Sequence, residues 1–358
     1  MIFFKQGIHS IIHSKMTQYF YYRHQLQLES GEQLNQIKVA YQQFGNPAAK
    51  KIIWVCHALT GNAQVNEWWP GLFAKNGPFN TADYRIICAN VLGSCYGTSG
   101  PNDLPEPLDF PLITIRDMVE VHELLLQHLK IDQIDILIGA SLGGQQALEW
   151  AVSSPDLIKK LVLIATNAEY SPYGKACNEA QRLALYSDET FGRKGGGKAG
   201  LKAARAVAML SYRSYSDFKI KQEDIDTRIS DYKAASYVAY QGNKFIERFD
   251  PYAYYSLTKS MDSHCIGRGR GGNINALQSI KAKTLVIGVN SDVLFPIEEQ
   301  QYLAKNIPSA EFGTIDSVHG HDAFLIEYDQ LNELISEFLY HEFKSYKPTT
   351  LKLKTNVN

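Results

Sequence analysis

A serine held between small residues at a strand-to-helix turn is the first feature of the chain that suggests chemistry. Gly139-Ala140-Ser141-Leu142-Gly143 follows the apolar run IDILI and leads into the helical pattern GGQQALEWAVSS at 143–154. A G-x-S-x-G pentapeptide in that setting forms a nucleophile elbow. The tight turn holds the serine in a strained backbone conformation, and small neighbours let strand and helix approach closely. In return Oγ is exposed at a helix N-terminus, where unpaired N–H groups favour developing negative charge.

A hydroxyl at its ordinary pKa is a poor nucleophile, so a base and an orienting carboxylate must accompany it. The elbow resembles that of α/β-hydrolases, in which the acid and then the histidine follow the serine along the chain. Asp292 lies in Asn290-Ser291-Asp292-Val293-Leu294-Phe295-Pro296, immediately past the run TLVIGV at 284–289. The end of a strand is where the acid belongs, although Asp, Ser and Asn also favour helix N-caps. Ser317-Val318-His319-Gly320-His321-Asp322 offers two histidines. His321 directly precedes Asp-Ala-Phe-Leu, read as the start of the last helix, and is taken as the base; His319 is read as a loop residue. His-x-His without further ligands in a metal pattern makes no metal site. The oxyanion donors are expected to be the backbone N–H groups of Leu142 and of Leu59, the latter in the loop His57-Ala58-Leu59-Thr60-Gly61.

These residues require a scaffold that brings strand ends together. Short apolar runs recur at 37–45, 51–57, 85–91, 134–140, 161–166 and 284–289. Runs of this length, rich in Ile and Val, read as strands buried on both faces, as in a parallel sheet. Helical patterns lie between them at 115–129 and 143–154, and such alternation predicts an α/β fold with right-handed crossovers. From 170 to 265 the pattern turns helical, around 175–190, 200–215 and 232–247, with no buried strand. The chain therefore reads as an α/β-hydrolase fold: a mostly parallel sheet with helices on both faces and an inserted helical cap. Residues 16–169 and 266–346 form the core, 170–265 the cap, 1–15 a loose extension and 347–358 a polar tail. A terminal helix is expected over 322–344. Two glycine-rich stretches are set aside. Gly192–Lys198 fits the start of a phosphate-binding loop, but Ala199 replaces the required Ser or Thr and no strand precedes it, so it reads as a flexible basic loop. GRGRGG at 267–272 reads as a linker returning the cap to the core.

The 358 residues are 45% hydrophobic and 20% charged, with a formal net charge of -1. This gives no electrostatic reason to expect nucleic acid or an anionic membrane surface, and no apolar stretch approaches the roughly 18 residues of a membrane span. Five cysteines without a C-x-x-C pair suit free thiols in a reducing cytoplasm.

HALTGNAQV, ICANVLGSCYGTSGP, FPLITIRDMV, GASLGGQQALEWA, NEAQR, GLKAAR, YQGNKFIERFD, SDVLFP and GHDAFL occur in this order between about residues 25 and 340. Together they resemble the homoserine O-acetyltransferases of methionine biosynthesis. The resemblance implies a ping-pong reaction in which Ser141 takes an acetyl group from acetyl-CoA and passes it to the γ-hydroxyl of L-homoserine. His321 would serve as base and Asp292 would hold its tautomer. It further implies Arg205 on the amino acid's carboxylate and Asp322 on its ammonium, with Arg182 structural. It implies no cofactor beyond the acyl-CoA co-substrate, and a homodimer formed through the cap helices. Two departures stand out. The elbow reads Gly-Ala-Ser-Leu where the family commonly has Gly-Gly-Ser-Met. The stretch before GLKAAR lacks an aromatic G-x-Y-Y-like element, so a tyrosine lining the acceptor pocket is expected to be missing. Succinyl-CoA as donor and L-serine as acceptor remain open. So do a serine hydrolase or esterase, and an inactive binding module.

Overall fold

The structure, a computed structural model, describes residues 16–74 and 77–340. The extension at 1–15, the tail at 347–358 and positions 341–344 of the expected terminal helix fall outside those residues. Eight strands form one sheet: β1 (Gln18–Gln27), β2 (Gln33–Gly45), β3 (Lys51–Cys56), β4 (Tyr84–Ala89), β5 (Ile134–Ala140), β6 (Ile158–Ile164), β7 (Lys283–Val289) and β8 (Ala310–Ile315). Their spatial order is β1-β2-β4-β3-β5-β6-β7-β8. From β4 to β8 every pairing is parallel, whereas β2 runs antiparallel to both β1 and β4. The run at 37–45, expected in the parallel set, is thus half of an antiparallel hairpin. Its partner β1 was not expected at all. QYFYYRHQLQ alternates between half-buried and exposed residues instead of forming an apolar run, because it covers the sheet edge with one face only.

Between strands lie α1 (Val65–Trp68), α2 (Ile115–His128), α3 (Leu142–Ser153), α4 (Pro172–Tyr186), α5 (Lys198–Tyr212), α6 (Tyr215–Gln222), α7 (Lys233–Ile246), α8 (Pro251–Asp262), α9 (Asn273–Gln278) and α10 (Ile297–Asn306), and α11 (Tyr328–Tyr340) follows the last strand. Side chains alternate across the sheet. On β3, Trp54 and Cys56 join α2 and α3 in one core, while Ile53 and Val55 join α11 in the other. Both cores are enclosed, so the sheet centre is rigid and its strand ends are fixed platforms. α2 begins with a capping box: Asp117 N–H donates to Thr114 Oγ1 at 3.3 Å, and Thr114 N–H donates to Asp117 Oδ2 at 2.7 Å. α4 to α8 all lie between β6 and β7. α6 and α8 were not anticipated.

Two expectations need correction. The terminal helix does not begin at 322: Gly320–Leu325 is a 3-10 turn, and α11 starts at Tyr328. The turn keeps His321 facing the sheet instead of carrying it away on a helix. The stretch at 267–272 does lead from the cap back to the core, and it is pinned there: Arg270 grips the buried Glu149 of α3 and Arg268 grips Glu29 after β1. The loop at 192–198, expected to be flexible, is held in place. The Tyr252 hydroxyl accepts from Gly192 N–H at 3.1 Å and donates to the Arg193 carbonyl, and Phe191 stacks on the same ring at 5.1 Å. Its glycines serve positive φ values at Gly192, Gly195 and Gly197.

Candidate active site

β5 delivers Ser141 to the C-terminal edge of the sheet, where α3 starts. Ser141 sits at φ 56° and ψ -126°, a strained setting for a non-glycine residue. The glycines explain the local sequence. A Cβ on Gly139 would lie 2.1 Å from the Gly143 carbonyl oxygen, and one on Gly143 would lie 2.1 Å from the Cys56 carbonyl oxygen. Glycine therefore lets α3 press against the ends of both β5 and β3.

Asp292 follows β7 and His321 follows β8, and the structure brings both to Ser141. Ser141 Oγ is 2.9 Å from His321 Nε2, and His321 Nδ1 is 2.6 Å from Asp292 Oδ2. The other Asp292 oxygen accepts from Leu294 N–H and Phe295 N–H, each at 2.9 Å. Asp292 thus does cap its own turn, and its second oxygen remains for the histidine. Because that carboxylate can only accept, the proton sits on Nδ1 and Nε2 is free to take the serine proton. All three residues are no more than 5% exposed. Burial pulls the His321 pKa down, but the charge of Asp292, its hydrogen bond and the charge of Asp322 outweigh this, and the net shift is upward from 6.5. His319 points elsewhere, to Asp217 at 2.7 Å and Lys221 at 3.2 Å.

Leu142 N–H is the first of α3, where no residue four positions back can accept from it. Leu59 follows β3 on the neighbouring strand. Among the described residues neither amide donates a backbone hydrogen bond. Gln146 ties the two segments together, its Nε2 donating to the carbonyls of His57 at 3.2 Å and Leu142 at 3.1 Å.

From the cap, Arg205 reaches Tyr212 and Phe245, its guanidinium carbon 5.1 and 4.9 Å from the ring centroids. Tyr212 in turn lies 5.9 Å from the His321 ring. Arg205 Nε and Nη1 are buried, with no hydrogen-bond partner among the described residues. A buried guanidinium fork without an acceptor is costly unless an anion arrives. Asp322 sits 3.1 Å from Arg213 Nε, so it already has a cationic neighbour. Arg182 is committed to Asp262 and Glu179. Tyr212 was missed in the sequence. It supplies an aromatic wall even though the element before α5 lacks one, and nothing in its immediate sequence marks it.

A groove of about 520 Å³ on the β1–β2 hairpin, lined by Tyr21, Arg23 and Lys38 among others, is well formed. It contains no nucleophile paired with a base, and size alone does not locate the chemistry.

Residues 51–328 match the family model described as the alpha/beta hydrolase fold. The homoserine O-acetyltransferase of Cyclobacterium marinum is 45% identical over 335 residues, covering 90% of this chain and 95% of that protein. The chain belongs to the homoserine O-acetyltransferase family. The crystal structure of the Staphylococcus aureus homoserine O-acetyltransferase superposes with a TM-score of 0.79 at 30% identity, covering 92% of this chain and 97% of that one. Esterase E22 superposes equally well, with a TM-score of 0.81 over 90% of this chain and 100% of its own, but at 19% identity it shows the fold alone. The scaffold of the homoserine O-acetyltransferase family is therefore shared with an esterase.

Proposed function

We propose that the chain transfers an acetyl group from acetyl-CoA to the γ-hydroxyl of L-homoserine through an acyl-Ser141 intermediate, as a step of methionine biosynthesis. His321 removes the Ser141 proton as Oγ attacks the thioester carbonyl. The resulting oxyanion is held by the N–H groups of Leu59 and Leu142. The tetrahedral adduct collapses, the C–S bond breaks, and the CoA thiolate leaves with the proton from His321. The homoserine hydroxyl then gives its proton to His321 and attacks the acyl-enzyme. O-acetylhomoserine departs as the proton returns to Ser141.

The observation that carries the acceptor assignment is the guanidinium of Arg205, whose buried Nε and Nη1 have no hydrogen-bond partner among the described residues, one aromatic ring away from the base. A carboxylate is the natural occupant of that fork. Asp322 then takes the ammonium, sharing its charge with Arg213. No cofactor enters this scheme, and CoA is a substrate.

Residues 170–265 act as the cap, and we assign the homodimer contact to it. Tyr215, Ile225 and Ile229 there are 81%, 98% and 93% exposed, an apolar display unusual for a free surface. The five cysteines are unpaired, which suits the cytoplasm. Among the described residues no helix is long and apolar enough to cross a membrane.

The test is CoA release from acetyl-CoA or succinyl-CoA with L-homoserine, L-serine or no acceptor. The reading predicts release that depends on homoserine, prefers acetyl-CoA and is abolished by Ser141→Ala. Release without acceptor dependence would make the chain an esterase instead.

A further inference from the structure

We propose that His57 and Thr166 are positioning residues that aim the two oxyanion amides from behind. The inference rests on the reading of Leu59 and Leu142 N–H as the oxyanion donors. In a trans peptide the N–H and C=O point in opposite directions, and no cis peptide occurs among the described residues. Leu59 N–H therefore points away from the Ala58 carbonyl, and Leu142 N–H points away from the Ser141 carbonyl.

Each of those carbonyls is held by two donors. Ala58 O accepts from Gly61 N–H at 2.9 Å and from His57 Nδ1 at 2.8 Å. Ser141 O accepts from Gln145 N–H at 3.0 Å and from the Thr166 hydroxyl at 3.0 Å. In both cases one donor is the backbone of the turn and the other is a side chain with 0% exposure. The two halves of the hole are built alike, on different strands.

The side chains are themselves fixed. Val91 N–H donates to His57 Nε2 at 3.0 Å, which leaves the ring proton on Nδ1, facing Ala58 O. Burial lowers the His57 pKa to about 4, so the ring stays neutral and keeps this tautomer. Thr166 packs so tightly on α3 that a Cβ on Gly144 would come 2.5 Å from its own Cβ, and its carbonyl accepts from Gln300 Nε2 at 2.8 Å. Neither side chain touches substrate. Each prevents its peptide from rotating, and each polarises the carbonyl so that the opposite N–H donates more strongly.

Two pairs of variants test this. Thr166→Val keeps the shape and removes the donor, whereas Thr166→Ser keeps the donor and removes a methyl. His57→Leu removes the ring donor, whereas His57→Asn places an amide N–H near the Nδ1 position. The readouts are steady-state kinetics with acetyl-CoA and L-homoserine, and the affinity of a boronic acid that forms a tetrahedral adduct on Ser141. Thr166→Val should lower kcat about tenfold, a part of what losing an oxyanion donor outright costs. KM for homoserine should stay within about twofold, boronate affinity should fall in parallel with kcat, and Thr166→Ser should retain both. His57→Leu should behave like Thr166→Val and His57→Asn should recover most of the loss. If His57→Leu does not fold, the Thr166 pair decides alone. Wild-type kcat in Thr166→Val, or an equal loss in Thr166→Ser, would overturn the inference while leaving the Ser141 mechanism standing. Full turnover in Ser141→Ala would overturn the underlying mechanism, and the inference with it.

Discussion

Replacing Asp292 by Asn separates the two effects that this carboxylate has on His321. The shape survives, but the charge and the acceptor are lost, so the ring no longer keeps its proton on Nδ1. With the attractive charge removed, burial dominates and the His321 pKa falls from its raised position. Asp292→Asn should therefore lower kcat by about 10³–10⁴-fold. It should also move the acid limb of the kcat/KM–pH profile, which the raised His321 pKa sets, to lower pH. A pH–rate profile checks both, and an unshifted limb would mean that another group sets it. Arg205 belongs at the same scale. Arg205→Met keeps an unbranched apolar stem but loses the fork and its contacts with the Tyr212 and Phe245 rings, so KM for L-homoserine should rise about 10- to 100-fold. Ser141 acylation, followed by the first release of CoA, should be unchanged.

At the level of elements the site depends on how closely α3 can lie against β3 and β5. Gly143→Ala puts a methyl group 2.1 Å from the Cys56 carbonyl oxygen; the obstacle is backbone and the methyl is fixed to the backbone of α3, so neither yields without moving a strand or the helix. The expected outcome is at least ~100-fold lower kcat, from Leu142 and Leu59 moving apart. Denaturant unfolding should give a loss of about 1–3 kcal/mol, the usual cost of overpacking; wild-type activity would mean that the contact is less tight than described. What was legible in the sequence follows from the same physics. The strands buried on both faces announce themselves as apolar runs, and the elbow announces itself because close approach demands glycine. Ser141 and Asp292 each stand beside such a marker, whereas His321 was placed by a helix start that the structure moves to Tyr328; the structure gathers all three. β1 carried no marker, because an edge strand covered on one face is written in Tyr, Gln and Arg. Tyr212, Thr166 and the grip of Arg270 on Glu149 work through contacts between residues far apart in the chain, which leave no local pattern.

For the molecule as a whole, acid sensitivity follows from the histidines it buries. Burial lowers the pKa of His57, His122 and His264 from 6.5 to about 4. Between those values the unfolded chain takes up protons that the folded chain refuses, so stability falls as the pH falls from about 6.5 toward 4. Glu299 acts in the opposite sense. Burial raises its pKa from 4.5 to about 7, so its protonated form favours the fold at low pH and that contribution is lost as the pH rises. His321, with its raised pKa, acts in the same sense as Glu299, so three groups stand against two and the net is still a loss toward acid; each tenfold difference in proton affinity between the folded and unfolded chain is worth ~1.4 kcal/mol per group. Urea midpoints at pH 7, 6 and 5 should decline in that order. A flat series would show that these rings gain protons without unfolding.

The central claim is that Ser141 carries the acyl group between two substrates. The most direct measurement is mass spectrometry of the protein mixed with acetyl-CoA in the absence of acceptor and quenched in acid. One acetyl group should appear on the peptide containing Ser141, vanish on addition of L-homoserine as O-acetylhomoserine forms, and be missing in Ser141→Ala. Continued formation of O-acetylhomoserine with no acetyl group ever found on Ser141, or its undiminished formation by Ser141→Ala, would contradict the account.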